Sequence, residues 1–108
     1  MPSKHVYIMV VNGSVVVNPD PVHVSISLGE SPVWHCPQAG AVKISFKGEP
    51  KGSPFLSEDF DVPAGGTCGA GPPVRGRVKD RYKYTVEVTL PNDRRCYLVD
   101  PEVVVDNG

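Results

Sequence analysis

Helical periodicity is missing from this chain of 108 residues: no window spaces its apolar side chains for an amphipathic helix. No apolar run approaches the roughly 20 residues that cross a bilayer as a helix. The start, Met1-Pro2-Ser3-Lys4-His5, has no basic segment followed by an apolar stretch, so no signal peptide is visible. The expected location is therefore cytoplasmic, although an exported mature form headed by an added Met fits the same residues. Charge of one sign is also lacking. The formal net charge is −1, which gives no general pull toward nucleic acid or toward acidic partners. Metal-binding and redox residues are few: three histidines, two methionines, three cysteines and no C-x-x-C pair. Cys36, Cys68 and Cys96 are odd in number and are expected to be free thiols packed as small apolar groups. In an exported chain one pair could bridge and leave one thiol over, and the spacing does not choose the pair.

What the chain does hold is punctuation. Twelve prolines and eleven glycines fall between short apolar runs, which predicts many strands joined by turns. Val22, Val24, Ile26 and Leu28 alternate with His23, Ser25 and Ser27, predicting a strand with one buried face. A turn at Gly29-Glu30 leads to a strand carrying the only tryptophan, Trp34. Val42, Ile44 and Phe46 alternate with Lys43, Ser45 and Lys47, and Tyr82, Tyr84, Val86, Val88 and Leu90 repeat the pattern later. Val6 to Val11 and Ser14 to Val17 flank Asn12-Gly13, the strongest turn dipeptide here, and predict a hairpin. Asn18-Pro19-Asp20-Pro21 then forces an extended corner. Phe55 is expected to plug one end of the core, Phe60 and Val62 to mark a short strand, and 63–76 to be an exposed loop. Cys96 to Val99 and Val103 to Val105 close the chain around a corner at Asp100-Pro101. The expected architecture is all-β: residues 1–108 as a single-domain Greek-key β-sandwich of about seven or eight strands.

The run from Asn18 through Leu28-Gly29-Glu30 to Trp34 resembles the early strands of cupredoxins, where an alternating strand leads through Gly-Asp/Glu to a buried aromatic. Val42-Lys-Ile-Ser-Phe46 falls where that family has its first copper histidine. Tyr82-Lys-Tyr-Thr-Val86 resembles the strand that delivers its ligand cysteine, and Leu98 to Val105 resembles the closing strand. The resemblance implies a cupredoxin-like scaffold without the copper. Such a site needs two imidazoles and a thiolate in one plane, often with a distant thioether. Here Val42 and Val86 stand at the ligand positions and no histidine follows His35. Met1 and Met9 lie at the wrong end for the axial ligand. Electron transfer is therefore not carried over, and no cofactor is expected.

Three groups remain as candidate sites. His35 and Cys36 adjoin Trp34, and with Cys68 and Cys96 they offer metal-ligand chemistry, but strand neighbours point to opposite faces and are poorly placed to share an ion. The loop Gly65, Gly66, Thr67, Cys68, Gly69, Ala70, Gly71 offers backbone N–H groups that in a concave nest would attract anions and lower the pKa of Cys68. Arg75, Arg77, Lys79, Arg81 and Lys83 recur at every second position, which in an extended chain puts five cations on one face. That row could grip a phosphate backbone or an acidic protein, but the favoured reading is an edge strand kept soluble by charge. Of the aromatics only Tyr82 and Tyr97 are near enough to interleave, so nucleic acid is not the expected partner. Glu58, Asp59 and Asp61 have no partner base and are expected to solvate a strand end. The expectation is a non-catalytic binding or assembly module. It would meet a protein partner or a second copy through loops at one end, 37–40, 48–57 and 63–76. A small metal or redox protein using His35 and the cysteines, and an anion binder using Arg75 to Lys83, are the alternatives.

Overall fold

The computed structural model describes residues 3–36, 40–76, 79–90 and 96–106, with backbone alone at 96 and 97. Among them are eleven strands and no helix: β1 Ser3–Val11, β2 Ser14–Asn18, β3 Val22–Ser25, β4 Ser31–His35, β5 Ala41–Ser45, β6 Asp59–Val62, β7 Thr67–Gly69, β8 Asp80–Lys83, β9 Thr85–Thr89, β10 Cys96–Val99 and β11 Glu102–Asp106. They form sheets of order β2-β1-β4-β7, β10-β9-β5-β6 and β3-β11-β8. β1 runs parallel to β4 and β11 parallel to β3, while the other pairs are antiparallel. β2 lies against β10 and β7 against β6, so the two four-stranded sheets stack with matching edges. The result is an all-β sandwich.

Local chemistry sets the turns. Asn12 and Gly13 both take positive φ, 50° and 78°, and join β1 to β2 as the two-residue hairpin their sequence predicts. The alternation that begins at Val22 does not continue as a strand to Leu28. It stops at Ser25, whose hydroxyl accepts from Leu28 N and whose N–H donates to Glu30 Oε1 at 2.8 Å. These side-chain bonds offer the backbone a turn in place of a ladder. Ile26 still packs on the core, but Leu28 is left 63% exposed.

The run Tyr82 to Leu90 is divided at Tyr84, and here the reason lies on the opposite strand. β8 on β11 and β9 on β10 share one register, which places Tyr84 across from Pro101 and Thr85 across from Asp100. Pro101 accepts from Tyr84 N at 3.0 Å but has no N–H to return, so the ladder is interrupted at that step. Thr85 Oγ1 donates to Asp100 Oδ1 at 3.0 Å and holds the corner, as the Asp-Pro dipeptide suggested. Residues 80–89 and 96–106 are thus one long two-stranded ribbon that serves two sheets. This division, together with β7 inside a predicted loop, raises the strand number above the expected seven or eight.

One core fills the sandwich. Val6 and Ile8 of β1, Trp34 of β4, Val42 and Ile44 of β5, Val86 and Val88 of β9 and Val103 and Val105 of β11 are all buried within it. One part of it is an aromatic cluster. Trp34, Phe46, Phe55, Phe60 and Tyr84 meet at centroid distances from 5.1 to 6.4 Å, mostly edge-on or tilted. Trp34 Nε1 donates to the Tyr84 hydroxyl at 3.3 Å, so the one polar atom of the indole is satisfied inside the core. Phe55 reaches this cluster from the loop between β5 and β6, as predicted, and anchors it.

Candidate functional site

In β1 the even positions turn inward and the odd positions outward, because successive strand side chains alternate. Val6 and Ile8 are buried, while Tyr7 and Val11 are 45% and 48% exposed. Trp34 of β4 is buried, which turns His35 to the outer face. Parallel pairing sets Tyr7 beside His35 and His5 beside Val33. There His5 Nδ1 lies 2.8 Å from His35 Nε2, and the Tyr7 ring stacks on His35 at 4.7 Å and 20°. A shallow pocket of about 160 Å³ adjoins the pair, lined by Tyr7, His35, Cys36, Gly65, Gly66 and Thr67.

Two of the three sequence candidates therefore meet. His35 faces Thr67 across β4 and β7, and Cys36 N donates to Gly66 O at 3.0 Å. His35 and Cys36 still point apart: Cys36 is buried, with Sγ donating to Gly40 O at 3.4 Å. The residue missed by sequence is His5. Its odd position in β1 predicts exposure, but no local pattern reports a parallel pairing with a strand thirty residues away.

The loop 65–71, expected to be exposed and considered as an anion nest, is in part a strand. Thr67, Cys68 and Gly69 form the edge strand β7 against β4, Gly66 N bonds Pro63 O, and Ala70 N bonds Pro32 O. Gly66 and Ala70 thus use their amides in turn and strand bonds, and the extended backbone of β7 sends successive N–H groups to opposite sides, so they do not converge on an anion. Cys68 packs against the core opposite Trp34. Its thiol pKa is raised, first by burial and then by the Asp61 carboxylate, the reverse of what a nest would do.

The basic row is not one face. Gly76 at φ 139° and Lys79 at φ 57° break the extended geometry that the spacing assumes. Arg75 turns to the loop before β6, donating to Ser53 O at 2.6 Å and lying 3.7 Å from Glu58. Arg81 and Lys83 share a face of β8, the edge of its sheet, where Arg81 pairs with Glu102 at 3.3 Å. Arg77 lies outside the described residues. Tyr82 is buried and so offers no stacking surface, and Lys51 sits 4.5 Å over its ring while paired with Asp80.

The three loops expected at one end are split between two. The register of β5 on β6 puts the 46–58 connection at the Ser45 end and residues 63–66 at the Val42 end, where 40 also lies. Residues 37–39 lie outside the described residues. After β7 the chain returns to the Ser45 end, where Val74 N bonds Pro54 O at 2.7 Å and Leu56 and Val74 stand 87% and 56% exposed. On the outer face of β10-β9-β5-β6, Lys43 stands between Asp61 and Glu87, and Ser45 donates to Asp59 Oδ1 at 2.6 Å. These groups line a hollow of about 400 Å³.

The copper positions implied by the resemblance hold Val42 and Val86, both buried apolar core residues of β5 and β9, and such a donor set does not fit a metal. Among the described residues no three His, Cys, Asp or Glu side chains gather as a metal site, and no helix is long and apolar enough to cross a membrane. No protein-family model matches the chain, nor does any curated protein or solved structure.

Proposed function

We propose that this chain is a non-catalytic binding or assembly module, a cupredoxin-like Greek-key scaffold without copper, that meets a protein partner through the outer face of β2-β1-β4-β7. The observation that carries this reading is the contrast between the two outer faces. One carries Lys43, Asp59, Asp61 and Glu87, charged groups that keep a sheet face solvated, and among the described residues Leu98 beside Glu87 is its single exposed large aliphatic. The other leaves Tyr7, Val11 and Val16 exposed, with Met9 and Val33 half-buried among them. Contiguous apolar surface of this kind marks contact sites, and tyrosine and methionine are enriched at them. A second contact surface is supported by Leu56 and Val74 at the Ser45 end, where a rigid scaffold presents two aliphatic side chains to solvent.

A photo-crosslinking amino acid placed singly at Tyr7, Val16, Leu56 and Glu87 in the native host tests both. One crosslinked protein, or a crosslinked second copy, from positions 7 and 16 but not 87 supports the sheet-face reading. Capture from 56 alone moves the contact to the loop tip. Equal capture from 87, or from none, rejects both.

A further inference from the structure

The geometry points to a divalent metal site formed by His5 and His35, of the tetragonal kind that suits Ni(II) or Cu(II), with water in the remaining positions. It is separate from the Val42 and Val86 positions, which lie in the interior, and it uses no cysteine. Both rings sit on the outer face of neighbouring parallel strands, so backbone pairing fixes their spacing, and the stacked Tyr7 ring steadies His35.

The facing nitrogens are 2.8 Å apart and the ring centroids 5.0 Å apart. The centroid separation exceeds the nitrogen separation by close to two centre-to-nitrogen ring radii, so the rings meet nearly head-on with one N–H pointing at the other nitrogen. A metal ion replaces that hydrogen bond as the link between the rings, seated to one side of the nitrogen–nitrogen line, because two metal–nitrogen bonds of about 2.0–2.1 Å do not fit on a 2.8 Å line. The donating ring moves its proton to its far nitrogen, both facing lone pairs become free, and the rings tip until the lone pairs converge. With both rings neutral no proton leaves the protein.

Two imidazole nitrogens each about 2.0–2.1 Å from one ion stand roughly 2.9 Å apart at a right angle and roughly 3.4 Å apart at the tetrahedral angle. The hydrogen-bonded nitrogens already stand 2.8 Å apart, so tipping the rings brings them to the first arrangement, the cis geometry of a tetragonal ion, with almost no change in nitrogen separation, whereas a tetrahedral ion would require them to part. The pocket beside His35, with Thr67 on its wall, gives coordinated water a place to sit.

The test uses the full chain without a polyhistidine tag, titrated with Ni(II) chloride and followed by calorimetry and by NMR of the histidine side chains. Nickel is chosen because, unlike Cu(II), it does not oxidise the thiols of Cys36 and Cys68. One equivalent is expected to bind, with broadening of the His5 and His35 resonances and not of His23. His5→Ala and His35→Ala should each weaken binding by about tenfold or more, since loss of a ligand costs at least what loss of an outer-shell partner does. His23→Ala, on the exposed face of β3, should leave it unchanged. Failure to bind in large excess of Ni(II), or binding that survives both alanine variants, overturns the proposal. Tighter binding of Zn(II) than of Ni(II) overturns the tetragonal assignment. Because no partner protein is present, these results are independent of the crosslinking outcome.

Discussion

Replacing Tyr84 by phenylalanine probes a side-chain hydrogen bond inside the core. The ring is kept against Trp34 and Phe46, at 5.8 and 5.1 Å, and only the acceptor for Trp34 Nε1 is removed. A fully buried indole N–H then loses its partner, which costs about 1–3 kcal/mol at neutral pH. Alkali acts on the wild type in the opposite sense. Burial, the largest cause, pushes the Tyr84 pKa well above the ordinary tyrosine value of about 10, so the folded state keeps the phenol neutral where the unfolded state ionises. Above that pH the unfolded chain binds fewer protons than the native one, and wild-type stability falls by about 1.4 kcal/mol per pH unit through this residue. Phenylalanine has no such proton. The stability gap between wild type and Tyr84→Phe should therefore shrink by about 1.4 kcal/mol from pH 7 to pH 11. Urea unfolding in the presence of reductant, read by the fluorescence of Trp34, measures both gaps. An unchanged gap at the two pH values would refute the burial of a neutral phenol beside Trp34.

Phe55→Ala should cost about 3–5 kcal/mol, unusual for a loop residue, because the ring packs edge-on against Trp34 and Phe46; thermal unfolding reads it. Gly13→Ala meets no neighbouring atom, so its loss of about 1 kcal/mol should come from positive φ alone, and Gly13→Asn should lose less. At neutral pH Cys68 should be alkylated more slowly than an unhindered thiol, and Asp61→Asn should speed it by removing the second cause of its raised pKa, as peptide-level mass spectrometry would show.

Periodicity made the core legible. Val22, Val24, Val42, Ile44, Tyr82, Tyr84, Val86 and Val88 are all buried, because a two-residue alternation reports which side faces inward without reference to any other segment. It does not report where a ladder stops. β3 ends at Ser25 through bonds to Glu30, and the step at Tyr84 is set by Pro101 seventeen positions on, neither of which alternation can register. The segment 63–76 read as a loop because glycine and proline dominate it, yet three of its residues are drawn into a strand by the open edge of β4. The basic row failed for the complementary reason: a spacing of two means one face only while the backbone stays extended, and Gly76 and Lys79 end that. Of the outer-face site, His35 was visible and His5 was not, since their meeting depends on a long-range parallel register.

The ribbon interrupted at Tyr84 and Pro101 ties the fate of two sheets together. A single pair of antiparallel segments runs through β10-β9-β5-β6 and on into β3-β11-β8, so neither sheet can detach while the other stays whole. Strain applied at Asp106 is therefore passed along the same two strands to Thr89 and Cys96, so these two sheets hold or let go together, while β2-β1-β4-β7 packs against them as a separate ladder.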